Sequence, residues 1–402
     1  MTVVTPPRPS TPSDRPASVP DDALEALIEE ARQRTRRRRR RTAAGGLLVA
    51  AAGAAAFVGF GGGSHAGSSV DASGAPGLSS IDLSESTQGQ IAFAAVDKRG
   101  FPTSVGVVDG SGGTVRTLAR SHRATDGAPA WSPDGRHLAF VTWAGTARIW
   151  IANADGSDRR LLLKGLGMGI GELTWSPDGR RIAFLTSGPM RKGHYVTHLA
   201  VVNANGAGLR FLSLAEPAVM WPNGRLAWSP DGKWIAFQAV RSLRIERSTG
   251  GHVRVFSRCS SVRACLDAAW SPDGSRLLYS ADAGMMVAEN PTAAHKTKPH
   301  LLTRNGYNQR WSPDGQTIAF EDGSAGHGWV GKIWLMDANG HHRRFLTVGH
   351  NPVWSPDGKS LAFLRERVRN GNQWDIYTIH SDGTDKRLVA TDASVDYPSW
   401  GR

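Results

Sequence analysis

The sequence predicts an all-β chain: a seven-bladed β-propeller of four-stranded antiparallel blades, placed after an N-terminal transmembrane helix. Three observations predict it. Trp-Ser-Pro-Asp-Gly occurs six times, beginning at Trp131, Trp175, Trp228, Trp270, Trp311 and Trp354, with spacings of 44, 53, 42, 41 and 43 residues. A short apolar run follows each copy. Strand patterns with no such copy beside them stand at Ile91 and at Trp400. A repeat of this length is one supersecondary unit that buries its apolar faces only by stacking on its neighbours. The 47 Gly and 14 Trp among 402 residues agree with many short strands joined by tight turns.

Residues 1–42 are expected to form a cytoplasmic tail. Its first 20 residues are rich in Pro, Ser and Thr and have the composition of disorder. Asp22 and Glu25 then stand in capping-box spacing ahead of Leu24, Leu27, Ile28 and Ala31, which share one face of a short helix. The Arg36–Arg41 run abuts residues 43–60, 18 residues without a charge. That length is close to the lower limit of about 17 residues for a spanning helix. Arg beside an apolar segment holds that end in the cytoplasm, so the chain after about residue 61 is expected outside the membrane. The alternative is a secretory signal cleaved near Ala66. Residues 61–88 form a Gly/Ser-rich linker, and 89–402 the propeller.

The formal charge of +13 follows the same division. Ten Arg and six acidic residues lie in 1–42, leaving +9 spread through the repeats. The Arg run is therefore a topology signal, and no nucleic-acid partner is expected.

Within each repeat, Pro fixes φ, Asp bonds locally and Gly accepts the geometry that closes the turn. The following runs, such as Ile182-Ala183-Phe184 and Ile318-Ala319-Phe320, are apolar on both faces. A third strand then leads into an Asp/Asn-Gly hairpin, as in Ile149–Gly156 and Ile376–Gly383, and to a fourth strand. At the start of the repeats, Ile91-Ala92-Phe93 supplies a second strand and Val105–Gly110 and Val115–Leu118 a third and fourth. Tyr397-Pro398-Ser399-Trp400 supplies the missing first. Pairing these two fragments makes the seventh blade and removes exposed sheet edges.

The repeat resembles that of the TolB-like propeller family across about residues 89–402. This resemblance implies an envelope scaffold that binds partner proteins. The chain departs from TolB in having no separate N-terminal α/β domain and seven expected blades where TolB has six.

Catalytic signals are sparse. No Gly-x-Ser-x-Gly elbow occurs to expose a nucleophilic serine. His194 and His198 fall in a loop extension without a nearby carboxylate, and Asn153–Asp158 lacks the spacing of a calcium loop, so no metal or cofactor is expected. Cys259 and Cys265 are expected to form a disulfide on the exported side.

Strand alternation places the uniform Ser-Pro-Asp-Gly and Asp-Gly turns on one rim and the connections of varied length on the other. Binding is expected on the varied rim, with Arg191, His194, Tyr195, Trp329 and Arg367 as candidates for capturing an envelope protein or cell-wall component. Three residues before each Trp, the innermost strands enter the central channel. There Glu172, Arg225, Asp267, Asn308, Asn351 and Tyr397 are the polar candidates for a ligand mouth. The alternative function is a carbohydrate-active or other hydrolytic or lyase enzyme working at that mouth.

Overall fold

The computed structural model describes residues 89–97, 101–120, 127–143, 146–166, 169–187, 195–218, 225–239, 242–260, 267–293, 298–322, 331–367, 373–394 and 398–401. The expected tail, membrane segment and linker lie outside these residues, as do Arg191, His194, Cys265, Trp329 and Tyr397. Among the described residues no helix is long and apolar enough to cross a membrane.

The described chain is all β. Its strands are β1 (Gln90–Val96), β2 (Pro102–Asp109) and β3 (Arg116–Arg120), then β4–β7 (127–164), β8–β11 (169–218), β12–β15 (226–258), β16–β19 (268–303), β20–β23 (306–348), β24–β27 (350–393) and β28 (Ser399–Gly401). Five of these groups are separate four-stranded sheets, all antiparallel. The eight remaining strands share one sheet, in which β28 pairs β1 through Ile91↔Trp400. The first strands of the groups are β4 (Gly127–Trp131), β8 (Gly169–Trp175), β12 (Leu226–Trp228), β16 (Ala268–Trp270), β20 (Gly306–Trp311) and β24 (His350–Trp354). Each ends on the motif Trp. These strands touch in turn, β4 with β8, β8 with β12, and so on to β24 with β28 and β28 with β4.

The core lies between successive sheets. Phe93, Phe140, Phe184, Phe237, Phe320 and Phe363, one in each segment except β16–β19, are fully buried, and Tyr279 stands in their place there. Leu185 and Val201 of one sheet pack with Trp228 and Phe237 of the next. This explains why the second strands are apolar on both faces: each sheet is covered on both sides.

Every Ser-Pro-Asp-Gly turn is built alike. In the first, Ser132 Oγ donates to Asp134 Oδ1 at 2.5 Å and accepts from His137 N at 2.9 Å, while Asp134 accepts from Arg136 N at 3.1 Å. The serines are buried, from 0 to 4% exposed. The motif Trp then links sheets. Trp175 Nε1 donates to Ala130 O at 2.9 Å, and Trp228, Trp270, Trp311 and Trp354 repeat this bond to the residue before the preceding Trp. At the closure the pattern breaks: Trp131 Nε1 is buried with no hydrogen-bond partner among the described residues, and Trp131 packs on Gly401.

The loop extension expected to hold His198 is in part a sheet extension. Tyr195 and residues 213–218 belong to β10 (Tyr195–Asn203) and β11 (Arg210–Ala218), paired as far as Tyr195↔Ala218. His198, also read as a loop residue, pairs Thr186 and lies edge-on to Phe211 at 5.6 Å. The loop reading underrated the β-branched and aromatic run at 195–198. Pro217 is accommodated because β11 is the edge strand.

Candidate functional site at the inner strands

Three residues before the motif Trp, the inner strands leave regular pairing. The register of β8 shifts between Ile170 and Leu173, that of β20 between Tyr307 and Arg310, and that of β24 between His350 and Val353. Asn308 and Asn351 have φ of 51° and 53°, a left-handed backbone that Asn tolerates better than most residues. The irregularity frees backbone N–H groups from the ladder. Asn308 N donates to Asp267 Oδ2 at 3.0 Å, and Asn351 N to Glu321 Oε1 at 2.6 Å.

Five of the six candidate mouth residues form one polar cluster. Arg225 Nε lies 3.3 Å from Asp267 Oδ1, the two side chains 7% and 2% exposed. Asn308 Nδ2 bonds Asn351 Oδ1 at 2.8 Å. Burial pushes the Asp267 carboxyl up to about 6; Arg225 and the Asn308 N–H oppose the rise, while Glu172 and Glu321 add to it. Burial likewise raises Glu172, against the pull of Arg225 and the Leu226 N–H. Glu172 Oε2 has no hydrogen-bond partner among the described residues. Thus Arg225, Asp267, Asn308 and Asn351, expected to line an open mouth, are buried and bonded to one another.

The residues at the centre of this cluster were not among the candidates. Glu321 is fully buried and accepts from Asn308 Nδ2 at 2.5 Å, from Asn351 N, and from His350 Nδ1 at 3.0 Å. Gly331 N donates to His350 Nε2 at 3.1 Å, which places the ring proton on Nδ1. A Cβ on Gly331 would stand 2.5 Å from the imidazole. Gln309 Nε2 adds a bond to Asp267 O at 2.9 Å. A signal for Glu321 existed: it follows Ile318-Ala319-Phe320, where the other second strands carry Ala, Val, Leu, Gln or Ser.

The variable rim offers fewer candidates. Arg367, expected to be available to a partner, is engaged within the chain: Nε reaches Asp375 Oδ1 at 2.9 Å and Nη1 reaches Asp392 Oδ1 at 2.9 Å. Asp375 and Asp392 hold the guanidinium pKa above its usual value. The backbone of Tyr195 lies on β10. Cys259 is disulfide-bonded. Among the described residues no group of three or more His, Cys, Asp or Glu is placed to hold a metal ion.

A family model described as the TolB beta propeller domain matches residues 86–306. The chain belongs to the TolB β-propeller family. Solved structures share this fold at low identity. TolB from Acinetobacter baumannii is 17% identical with a TM-score of 0.50, covering 78% of this chain and 66% of its own, just under two thirds. An oligogalacturonate lyase in complex with manganese is 13% identical with a TM-score of 0.53, covering 76% and 86%. An acylaminoacyl peptidase in complex with Z-Gly-Gly-Phe-chloromethyl ketone is 13% identical with a TM-score of 0.53, covering 76% and 51%. No curated protein matches the sequence. At these identities the likeness to the structures is one of fold, a fold that serves TolB, a lyase and a peptidase alike.

Proposed function

We propose that the chain is a non-enzymatic, membrane-tethered, extracytoplasmic TolB-family propeller of seven blades that binds a protein or cell-envelope component through its variable rim. The cycle of contacts among the innermost strands and the β28–β1 pairing support the blade count. The asymmetry between the rims carries the binding assignment. On one rim the six motif turns each fill five residues and repeat one bonding scheme, and six of the seven connections between third and fourth strands fill five or six, the exception being residues 290–299 between β18 and β19. On the other, connections range from Gly349 alone between β23 (Arg344–Val348) and β24 to residues 323–331 between β21 (Thr317–Asp322) and β22 (Lys332–Asp337). Variation in length on a constant scaffold is the mark of a recognition surface.

The test is crosslinking capture from intact envelopes with the full chain. Arg191→Ala and Trp329→Ala are expected to weaken capture at least about fivefold, as interface anchors do. Lys233→Ala and Lys359→Ala, on the uniform rim, are expected to leave it intact. Equal loss from both rims would reject the assignment. Protease added outside intact cells should digest beyond residue 61 and spare the tail; the reverse pattern would reject the topology.

One observation favours the enzymatic reading: Glu172 and Glu321 lie close enough to raise Asp267. That reading requires turnover of an oligosaccharide or peptide ester that Asp267→Asn abolishes. No turnover across both substrate classes would leave the binding role.

A further inference from the structure

The variable rim carries exposed cations as well as connections of varied length. Lys164 at the end of β7 (Arg160–Lys164), Arg258 at the end of β15 (Val253–Arg258), Arg304 after β19 (His300–Thr303), Lys332 at the start of β22 and Arg365 near the end of β25 (Ser360–Glu366) all lie at the variable rim, on five different blades. All five are exposed. Arg365 rests 6.0 Å from the Tyr377 ring centroid, and none of the five has an ion pair or side-chain hydrogen bond among the described residues. Four described acids of that rim are engaged internally. Asp282 accepts from Ser260 N and Oγ, each at 2.8 Å, Asp322 pairs with Arg343, and Asp375 and Asp392 hold Arg367.

We propose that the variable rim docks on a phosphodiester-rich polymer of the cell envelope, held by Lys164, Arg258, Arg304, Lys332 and Arg365. Cations spread one per blade fit an anion that repeats along its length better than a single small ligand. Three of the five are Arg, whose planar fork matches phosphate oxygens. This inference rests on the extracytoplasmic, rim-binding function proposed above and names the chemistry of the partner.

The test uses the full chain in neutral phosphatidylcholine nanodiscs and immobilised poly(glycerol phosphate) as the probe. Replacing all five residues by Gln is expected to lower affinity at least about tenfold and to flatten the dependence of affinity on salt, because fewer counterions are released. Arg136, Arg180, Lys233, Lys359 and Lys386, changed together to Gln on the uniform rim, remove the same charge and should cost less than about threefold. Arg304→Gln and Lys332→Gln, made singly, should each lower affinity about twofold and serve if the fivefold variant does not fold. Equal losses from the two rims would overturn the proposal. So would failure of the wild type to bind, tighter binding to phosphatidylglycerol vesicles, or equal binding to polyglutamate. Envelope capture that persists without polymer binding would reject only this proposal; digestion of the wrong end by external protease would reject the topology beneath it.

Discussion

Asp267 is a carboxylate held where its charge is least welcome, and pH should expose that. Its folded pKa of about 6 stands above the ordinary value of 3.8, so between those limits the folded state binds more protons than the unfolded one. Stability therefore rises as pH falls from about 6 to about 4, by an amount on the order of 3 kcal/mol if the rise is intact. Glu172, also raised, acts in the same direction. Urea midpoints at pH 7, 5 and 4 should increase in that order for the wild type and flatten for Asp267→Asn; a wild-type midpoint that falls steadily would refute the assignment. Arg367 shows the limit of reading residues singly. As a charge in a long connection it looked available, but Asp375 and Asp392 approach it only once β26 (Trp374–His380) and β27 (Arg387–Ala393) are folded beside it.

The Ser-Pro-Asp-Gly turn is the unit from which the blades are made, and its serine contributes more than its size suggests. Ser176 is fully buried, donates to Asp178 Oδ1 at 2.5 Å and accepts from Arg181 N at 2.9 Å. Ser176→Ala leaves both partners short of a bond in a buried turn and should cost about 1–3 kcal/mol, read as a shift in urea midpoint without a change in slope. No shift would make the hydroxyl dispensable. The same bonds lower the turn aspartates, Asp273 to about 2 through Ser271 first and Ser275 next. Their sign is opposite to that of Asp267. A depressed pKa gives stability that is present above about 4 and is lost as pH falls toward 2, so the acid limb should reverse below pH 4.

Across the whole molecule the indole bonds are the repeated link between neighbouring sheets, and the closure is where the repeat fails. Trp175→Phe removes a 2.9 Å bond to Ala130 O, whereas Trp131→Phe removes an N–H with no partner among the described residues. The substitution is the same at both sites, so the first should be more destabilising by about 1 kcal/mol. Equal midpoints in thermal or urea melts would show that the indole bonds contribute nothing. Closure depends instead on apolar burial, with Trp400 packed among Ile91, Phe93 and Val108.

The sequence by itself determined most of the strands, the motif turns and the pairing of the two terminal fragments, though not the extension of β10 and β11. Each of these rests on local signals along the chain: a turn that closes within five residues, an apolar triplet after it and an Asp/Asn-Gly hairpin. It also marked Glu172, Arg225, Asp267, Asn308 and Asn351 as polar positions beside one another. Only the tertiary structure decided that these are buried partners instead of an open lining, that Glu321 and His350 stand at their centre, and that Arg367 is engaged by two aspartates. The reason is distance along the chain. Asp267 meets the backbone of Asn308 from 41 residues away, and Glu321 meets His350 from 29, through bulges whose positive φ no periodicity encodes.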